Sequence, residues 1–319
     1  FSQRPWGGNG LARILGKAFP STPGPFGESW ELSDHPDGRS VVSAPGEPAD
    51  GVPFGELLKL FPREMIGKEE PPGGYPLLVK YIDAAGDLSV QVHPDDEWCR
   101  RKSHPDRGKS ECWYVMDCTP GSEIIYGFKD GVTEGMAREA IEQKRLKDLL
   151  FYQPVEPGDF IAVPPGTVHA LLSGTLLCEI QQSSNATFRL YDWDRLPSRD
   201  LHLEESMEVA QFDRGKLPMI KRLGRSGSGK QLLLENDFFR VDLHDLEPGS
   251  EKEGGELLHP HGAIVNVVEG KGTLAGPGWE RALKRGQTYY LPAAMEEGGR
   301  LKSGKEGLRV LISCSREIE

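Results

Sequence analysis

Thiol chemistry has little to work with in this chain of 319 residues. Its five cysteines, at positions 99, 112, 118, 178 and 314, are odd in number and form no C-x-x-C pair. Neither a disulfide framework nor a thiolate zinc site is expected, and small inert core residues in a reducing cytosol are. Long apolar runs are missing as well. Nothing approaches the ~18 residues of a membrane span and no signal-like segment opens the sequence, so the expectation is a soluble, cytoplasmic protein with no membrane partner. Positive charge is outweighed: 38 Lys and Arg against 49 Asp and Glu leave a formal net charge of -11. That balance disfavours nucleic acid as a partner but admits an anionic small molecule, because local Lys and Arg decide such binding.

Turn residues, by contrast, are plentiful. The 39 Gly and 25 Pro cut the chain into short segments, many of which alternate apolar and polar residues, so the fold reads as mainly β. The length exceeds one unit of ~150 residues, which makes two domains the starting expectation. ESWELSD reads as an early strand and SVVS as another. Phe54, Leu57, Leu58 and Phe61 fall at helical spacing and predict a covering helix. A second helical stretch runs from Thr133 to Phe151, with Ala137, Ala140, Ile141, Leu146, Leu149 and Leu150 as its apolar set. KRLGRSGSGK, residues 221–230, reads as an exposed loop ahead of a second unit.

Several strand-like segments carry polar groups that need a reason to be there. In DLSVQVHP the period of two puts Ser89, Gln91 and His93 on one face and Leu88, Val90 and Val92 on the other. In KSECWYVMD the same rule groups Lys109, Glu111 and Trp113, and a Pro-Pro-Gly turn delivers His169 to the start of a further strand. Singly, a histidine on an apolar strand is ordinarily a hydrogen-bonded core residue and a glutamate a solvated one. Together, two His, one Glu and one Gln offer nitrogen and oxygen to a divalent ion, a set that suits Zn²⁺ and also admits Mn²⁺, Fe²⁺ or Ni²⁺. Lys80 interrupts the apolar run LLVKYID, so its ammonium either reaches solvent or meets an anion. Glu179 and Arg189 sit on two neighbouring apolar strands, where a structural ion pair is one reading.

Gly158, five residues, Pro164, one residue, Gly166, two residues and His169 resemble the second signature of the cupin β-barrels. The first signature is altered: Gln91 stands where the first His of H-x-H usually does, and Glu111 follows His93 after 17 intervening residues. A Gln-x-His pair, a distant Lys-x-Glu and a Pro-x-Gly-x-x-His resemble the type I phosphomannose isomerases. RPWGGNGLARILGK, GPFGESWELSDHP, GGYPLLVKYIDAAGDLSVQVHPDD and the Arg189 segment extend the likeness over essentially the whole chain, in the family's short bacterial form.

The resemblance implies two cupin-type jelly-roll β-barrels with a small helical insertion. Residues 1–220 would form the metal-binding catalytic cupin domain, with the insertion near 133–151, and residues 221–319 a degenerate C-terminal cupin domain. It implies one Zn²⁺ per chain on Gln91, His93, Glu111 and His169, with Arg189, Glu179 and Lys109 catalytic and Ser89 and Lys80 at the substrate phosphate. The implied activity interconverts mannose 6-phosphate and fructose 6-phosphate through a cis-enediol, and the sugar phosphate is the expected partner. Glu179 is the candidate proton carrier, alongside a metal-bound hydroxide or a lysine. Trp6 and Glu28 either shape the mouth of the site or serve as a packed aromatic and a turn-satisfying carboxylate. A cupin dioxygenase using iron and a non-catalytic sugar-binding cupin are the competing readings.

Residues 231–319 echo the metal domain's pattern. LLHPHGAIVNVVEG holds an H-x-H pair, His259 and His261, with Asn266 near the position of the glutamate. Gly286 and Pro292 repeat the cupin spacing, but Ala294 replaces the Gly and Glu297 the His. Two histidines are too few for a single zinc ion, so a structural or interface role is expected of this copy, a weak second metal on the two histidines being the minor alternative.

Overall fold

The computed structural model describes residues 1–22, 24–69, 71, 73–224, 229–252, 257, 259–295 and 299–317. The chain is mainly β, in antiparallel sheets, as its alternation and turn content predict. No helix among the described residues is long and apolar enough to cross a membrane. The chain forms two compact units from interleaved segments. One comprises Phe1–Gly10, Pro20–Glu28 and Ile82–Arg222, the other Leu11–Phe19, Ser29–Tyr81 and Leu223–Glu319. Thus the second unit takes in N-terminal stretches besides the C-terminal echo.

In the first unit, the Thr175–Gln182 strand pairs antiparallel with Glu111–Cys118, which pairs in turn with Asp159–Val163. Lys221–Arg222 closes this row on Asp159–Val163. A second sheet runs in the order Phe188–Tyr191, Val90–Val92, His169–Leu171, Glu123–Phe128 and Leu150–Pro154. Residues from both sheets, among them Trp113, Ile161, Leu177, Ile124 and Leu171, share one buried cluster. The outer face of the second sheet is apolar through Val90, Val92, Ala170 and Phe188. Helical residues Trp98, Ala137, Leu146 and Met207 cover it. Each fully buried large side chain of these clusters contributes roughly 1.5–3 kcal/mol. That cover leaves the opposite face of Val90–Val92 and its neighbours turned inward, the face on which the polar residues lie.

The expected long helix over 133–151 is shorter. The α-helix spans Glu134–Glu142, capped by the Thr133 side chain accepting from the Met136 amide. Lys144 then takes a φ of +56°, which a helix cannot continue through. A 3₁₀ turn follows at Leu146–Leu149, and Leu150 already opens a strand, opposite Phe128. SVVS makes only an isolated bridge between Val41 and Pro53, flanked by hydrogen bonds from the Val42 amide to the Val52 carbonyl and from the Phe54 amide to the Ser40 carbonyl, each at 2.9 Å. Part of the expected 221–230 loop is strand, at Lys221–Arg222, and residues 225–228 lie outside the described residues.

The second unit's sheet is ordered Gly229–Glu235, Phe239–Leu246, Arg300–Ser315, Ala263–Gly276 and Trp279–Lys284. Glu251–Lys252 joins it on Arg300–Ser315, and Thr288–Leu291 on Ala263–Gly276. Val265, Val267, Leu274, Leu301, Leu308 and Val310 form its core. Arg309 is buried there and donates to Asp245 Oδ2 at 2.8 and 2.6 Å and to the carbonyls of Leu223 and Gly224 at 3.3 and 2.8 Å. It thereby ties the start of the 223–319 segment to the sheet.

Candidate metal centre and active site

Strand register assembles the polar residues in two rows. In the second sheet of the first unit, Arg189 stands opposite Gln91 and Gln91 opposite His169, so all three project from one face. In the other sheet, Glu111 stands opposite Gln181 and Trp113 opposite Glu179. The rows meet at Glu111. His169 Nε2 lies 3.4 Å from its Oε1, and His93 Nε2 lies 3.7 Å from its Oε2. His93, Glu111 and His169 are each at most 2 % exposed, and their ligand atoms all lie within 4.8 Å of one another, a cluster able to hold a metal ion.

Backbone contacts fix both imidazoles. The Nδ1–H of His93 donates to the Ala186 carbonyl and that of His169 to the Thr167 carbonyl, each at 2.8 Å. With Nδ1 so engaged, each ring turns its Nε2 towards Glu111, an arrangement usual for metal-binding histidines. Gln91 places its amide 3.2 Å from His169 Nε2, and rotating the near-isosteric amide brings Oε1 to the same place. Burial pushes the His169 pKa down to about 4, with Lys109 adding to the effect against the opposing Thr167 contact and Glu179. His169 is therefore neutral at pH 7.

Both carboxylate oxygens of Glu111 are buried, and Oε1 accepts no hydrogen bond. Lys109 Nζ lies 2.9 Å from Glu111 Oε2 and 3.2 Å from His93 Nε2. Burial alone would lower the Lys109 pKa, but Glu111, followed by Glu179, outweighs it and holds the ammonium above the ordinary lysine value. A buried carboxylate whose Oε1 has no hydrogen-bond partner, faced by two imidazole Nε2 atoms, is a donor set that a divalent cation completes.

The structure brings together Gln91, His93, Glu111, His169, Lys109 and Glu179. Arg189 lies at the rim, where Nη1 donates to the Asp200 carbonyl at 2.7 Å while Nε is buried with no hydrogen-bond partner. Burial, then the neighbouring Arg199, pushes its pKa down. Ser89 is buried just before the Val90–Val92 strand. Lys80 belongs to the second unit, buried, with its ammonium 4.8 Å from the Trp30 ring centroid. Trp6 is a core residue, and Glu28 is held by Arg4 at 3.1 and 3.0 Å. Reading by strand face left one contact of a candidate site residue undetected: Trp113 Nε1–H donates to Glu179 Oε2 at 3.1 Å. Its only sequence signal was the face shared with Glu111.

In the second unit, the His261 Nδ1–H donates to the Ile66 carbonyl at 2.9 Å, and His259 Nδ1 accepts from the His261 amide at 3.3 Å. Asn266 donates to Thr288 Oγ1 at 2.9 Å. Glu297 lies outside the described residues, and among those described no third ligand joins the two histidines.

Residues 1–115 match the family model described as phosphomannose isomerase type I, catalytic domain. The chain is 36 % identical over 305 residues to mannose-6-phosphate isomerase ManA of Bacillus subtilis, covering 93 % of this chain and 92 % of that protein. The crystal structure of a mannose 6-phosphate isomerase from Bacillus subtilis superposes with a TM-score of 0.82 at 32 % identity, over 98 % of this chain and 97 % of the other. A mannose 6-phosphate isomerase structure bound with zinc and yttrium shares the fold, with a TM-score of 0.73 at 17 % identity over 99 % and 97 % of the two chains. Matched along nearly its full length, with His93, Glu111 and His169 of its Gln-x-His, Lys-x-Glu and Pro-x-Gly-x-x-His motifs gathered in one buried cluster, the chain belongs to the type I phosphomannose isomerase family.

Proposed function

We propose that Gln91, His93, Glu111 and His169 hold one Zn²⁺, and that Glu179, Lys109 and Arg189 act on the sugar beside it. The enzyme is a mannose-6-phosphate isomerase, the activity its relatives carry. The observation that supports a metal there is the buried Glu111 carboxylate, whose Oε1 accepts no hydrogen bond while two imidazole Nε2 atoms face its oxygens. Nitrogen and oxygen donors without thiolate suit Zn²⁺, and a relative of the same fold carries zinc in its crystal structure.

Interconverting the aldose and the ketose moves a proton between C2 and C1 through a cis-enediol. Negative charge develops on the adjacent oxygens, and a bound cation supplies Lewis-acid stabilisation of it. Lys109 and Arg189 add positive charge around the same oxygens. Glu179 takes the proton from one carbon and returns it to the other, while a second proton shifts between the two oxygens. Ser89 and Lys80 keep the role the resemblance implies, contacts to the substrate phosphate. Residues 1–220 then correspond to the catalytic cupin domain and residues 221–319 to a degenerate copy with a structural role.

The test is turnover of mannose 6-phosphate by chelator-stripped protein before and after adding Zn²⁺, Mn²⁺, Fe²⁺ or Ni²⁺ singly, with His169→Ala in parallel. Restoration by Zn²⁺ in the native protein and not in the variant is expected. Full turnover by stripped protein, or recovery in the variant equal to native, would remove the metal assignment. Preferential restoration by another ion would remove zinc alone.

A further inference from the structure

Trp113 touches both Glu179 and His169. Its side chain is 1 % exposed and packs in the cluster of Ile124, Ile161, Leu171 and Leu177. The indole N–H donates to Glu179 Oε2 at 3.1 Å. The same ring meets His169 edge to face, with centroids 5.3 Å apart and planes at 72°. Trp113 and Glu179 are direct partners across the antiparallel pair, and Glu111 lies two residues from Trp113 on the same face.

A glutamate reaches its target through three torsions, the last of which is broad. A carboxylate that serves two adjacent carbons in turn needs one oxygen within ~3–3.5 Å of each, with the other oxygen held so that the group does not rotate between them. An indole has two torsions, and here the apolar core fixes both. Its N–H is thus a donor placed by packing, independent of solvent.

We infer that Trp113 is a positioning residue for the isomerisation: its indole N–H holds Glu179 Oε2 and leaves Oε1 as the proton-carrying oxygen, in fixed relation to the His169 ring. This rests on the reading of Glu179 as the proton carrier. Lys109, also felt by Glu179, supplies charge but sits on a flexible stem and cannot set the carboxylate plane in this way.

Trp113→Phe keeps an aromatic ring in the core and removes the donor. Loss of a hydrogen bond to a charged group in a desolvated site corresponds to roughly 10- to 100-fold in rate. The expected result is a fall of that size in kcat with KM changed less than about twofold and one bound zinc per chain retained. In a Glu179→Gln background, where residual turnover is followed by solvent deuterium incorporation at C2, Trp113→Phe is expected to have no further effect. Where Trp113→Phe does not fold, 3-benzothienylalanine at position 113 replaces the N–H by sulfur in the same ring shape, with the same expected readouts. Native kcat in either variant, or an equal fall in both backgrounds, would overturn the positioning role while Glu179 stands. Native turnover by Glu179→Gln alone would show instead that the reading of Glu179 has failed, and the role of Trp113 with it.

Discussion

His169 gives a prediction that can be worked through from burial to an assay. In the folded protein without metal its pKa is pushed down to about 4, against 6.5 for an unperturbed histidine. On acidification the unfolded chain therefore takes up this proton first, and stability falls. The contribution is fully present above pH 6.5 and is lost progressively as the pH falls towards 4. The whole difference corresponds to about 3 kcal/mol, of which about 2 kcal/mol is expressed at pH 5. Local stability of the chelator-treated protein, read from hydrogen exchange at amides of the Glu111–Cys118 strand at pH 7 and pH 5, is compared with that of His169→Gln, which cannot titrate. The native protein should lose about 2 kcal/mol more than the variant over this interval. A ring-proton NMR titration checks the cause directly: the His169 resonances should hold their neutral positions down to about pH 5. A midpoint near 6.5, or an equal pH dependence in the variant, would refute the argument that burial keeps this imidazole neutral.

Four further perturbations probe other links. Glu111→Gln should abolish metal binding and, by leaving the Lys109 ammonium buried without its carboxylate, cost roughly 3–5 kcal/mol, measured by metal analysis and urea unfolding. Gly166 has φ +84°, a Cβ there would lie 2.8 Å from the Val209 carbonyl oxygen, and its N–H donates to the His93 carbonyl at 2.9 Å. Gly166→Ala should therefore destabilise by roughly 1–3 kcal/mol and weaken metal binding, since the turn holds both histidines; an unchanged melting temperature and metal affinity would contradict this. Arg309→Met should destabilise the second unit by roughly 3–5 kcal/mol, with Asp245→Leu in the same chain recovering much of the loss, a non-additivity that unfolding measurements on the single and double variants test. Burial, then Asp96, pushes the Cys99 thiol up to about 11. Only roughly a thousandth of it is thiolate at pH 8, so iodoacetamide labelling followed by mass spectrometry should run far slower than for a free cysteine.

What could be read from the sequence was local. The period of two put Gln91 and His93 on one face, and the Gly158, Pro164, Gly166, His169 spacing describes a turn whose geometry needs only those residues. The same alternation grouped Glu111 with Trp113. Which strands lie side by side, and in what register, is decided by pairing between distant segments, and alternation is silent on that. The hydrogen bond from Trp113 to Glu179 depends on such a register and could not be read. Nor could the interleaving of Leu11–Phe19 and Ser29–Tyr81 with the C-terminal segment, which long-range contacts alone determine. The helix expected to reach Phe151 ended early for a local reason, the positive φ at Lys144, but a lysine carries no signal for it.

The central position of the Arg300–Ser315 strand bears on how the protein is made. It lies between Phe239–Leu246 and Ala263–Gly276 and also receives Glu251–Lys252, so every one of its partners leaves the ribosome before it does. Until it arrives, those strands have exposed apolar faces and unpaired edges, the condition in which nascent chains associate wrongly. Leu11–Phe19 and Ser29–Tyr81 wait longest, because they were synthesised before the first unit was complete and belong to a unit that cannot close without this strand. Substitutions in Arg300–Ser315 should therefore lower the yield of soluble protein during synthesis more than they lower the stability of protein already folded.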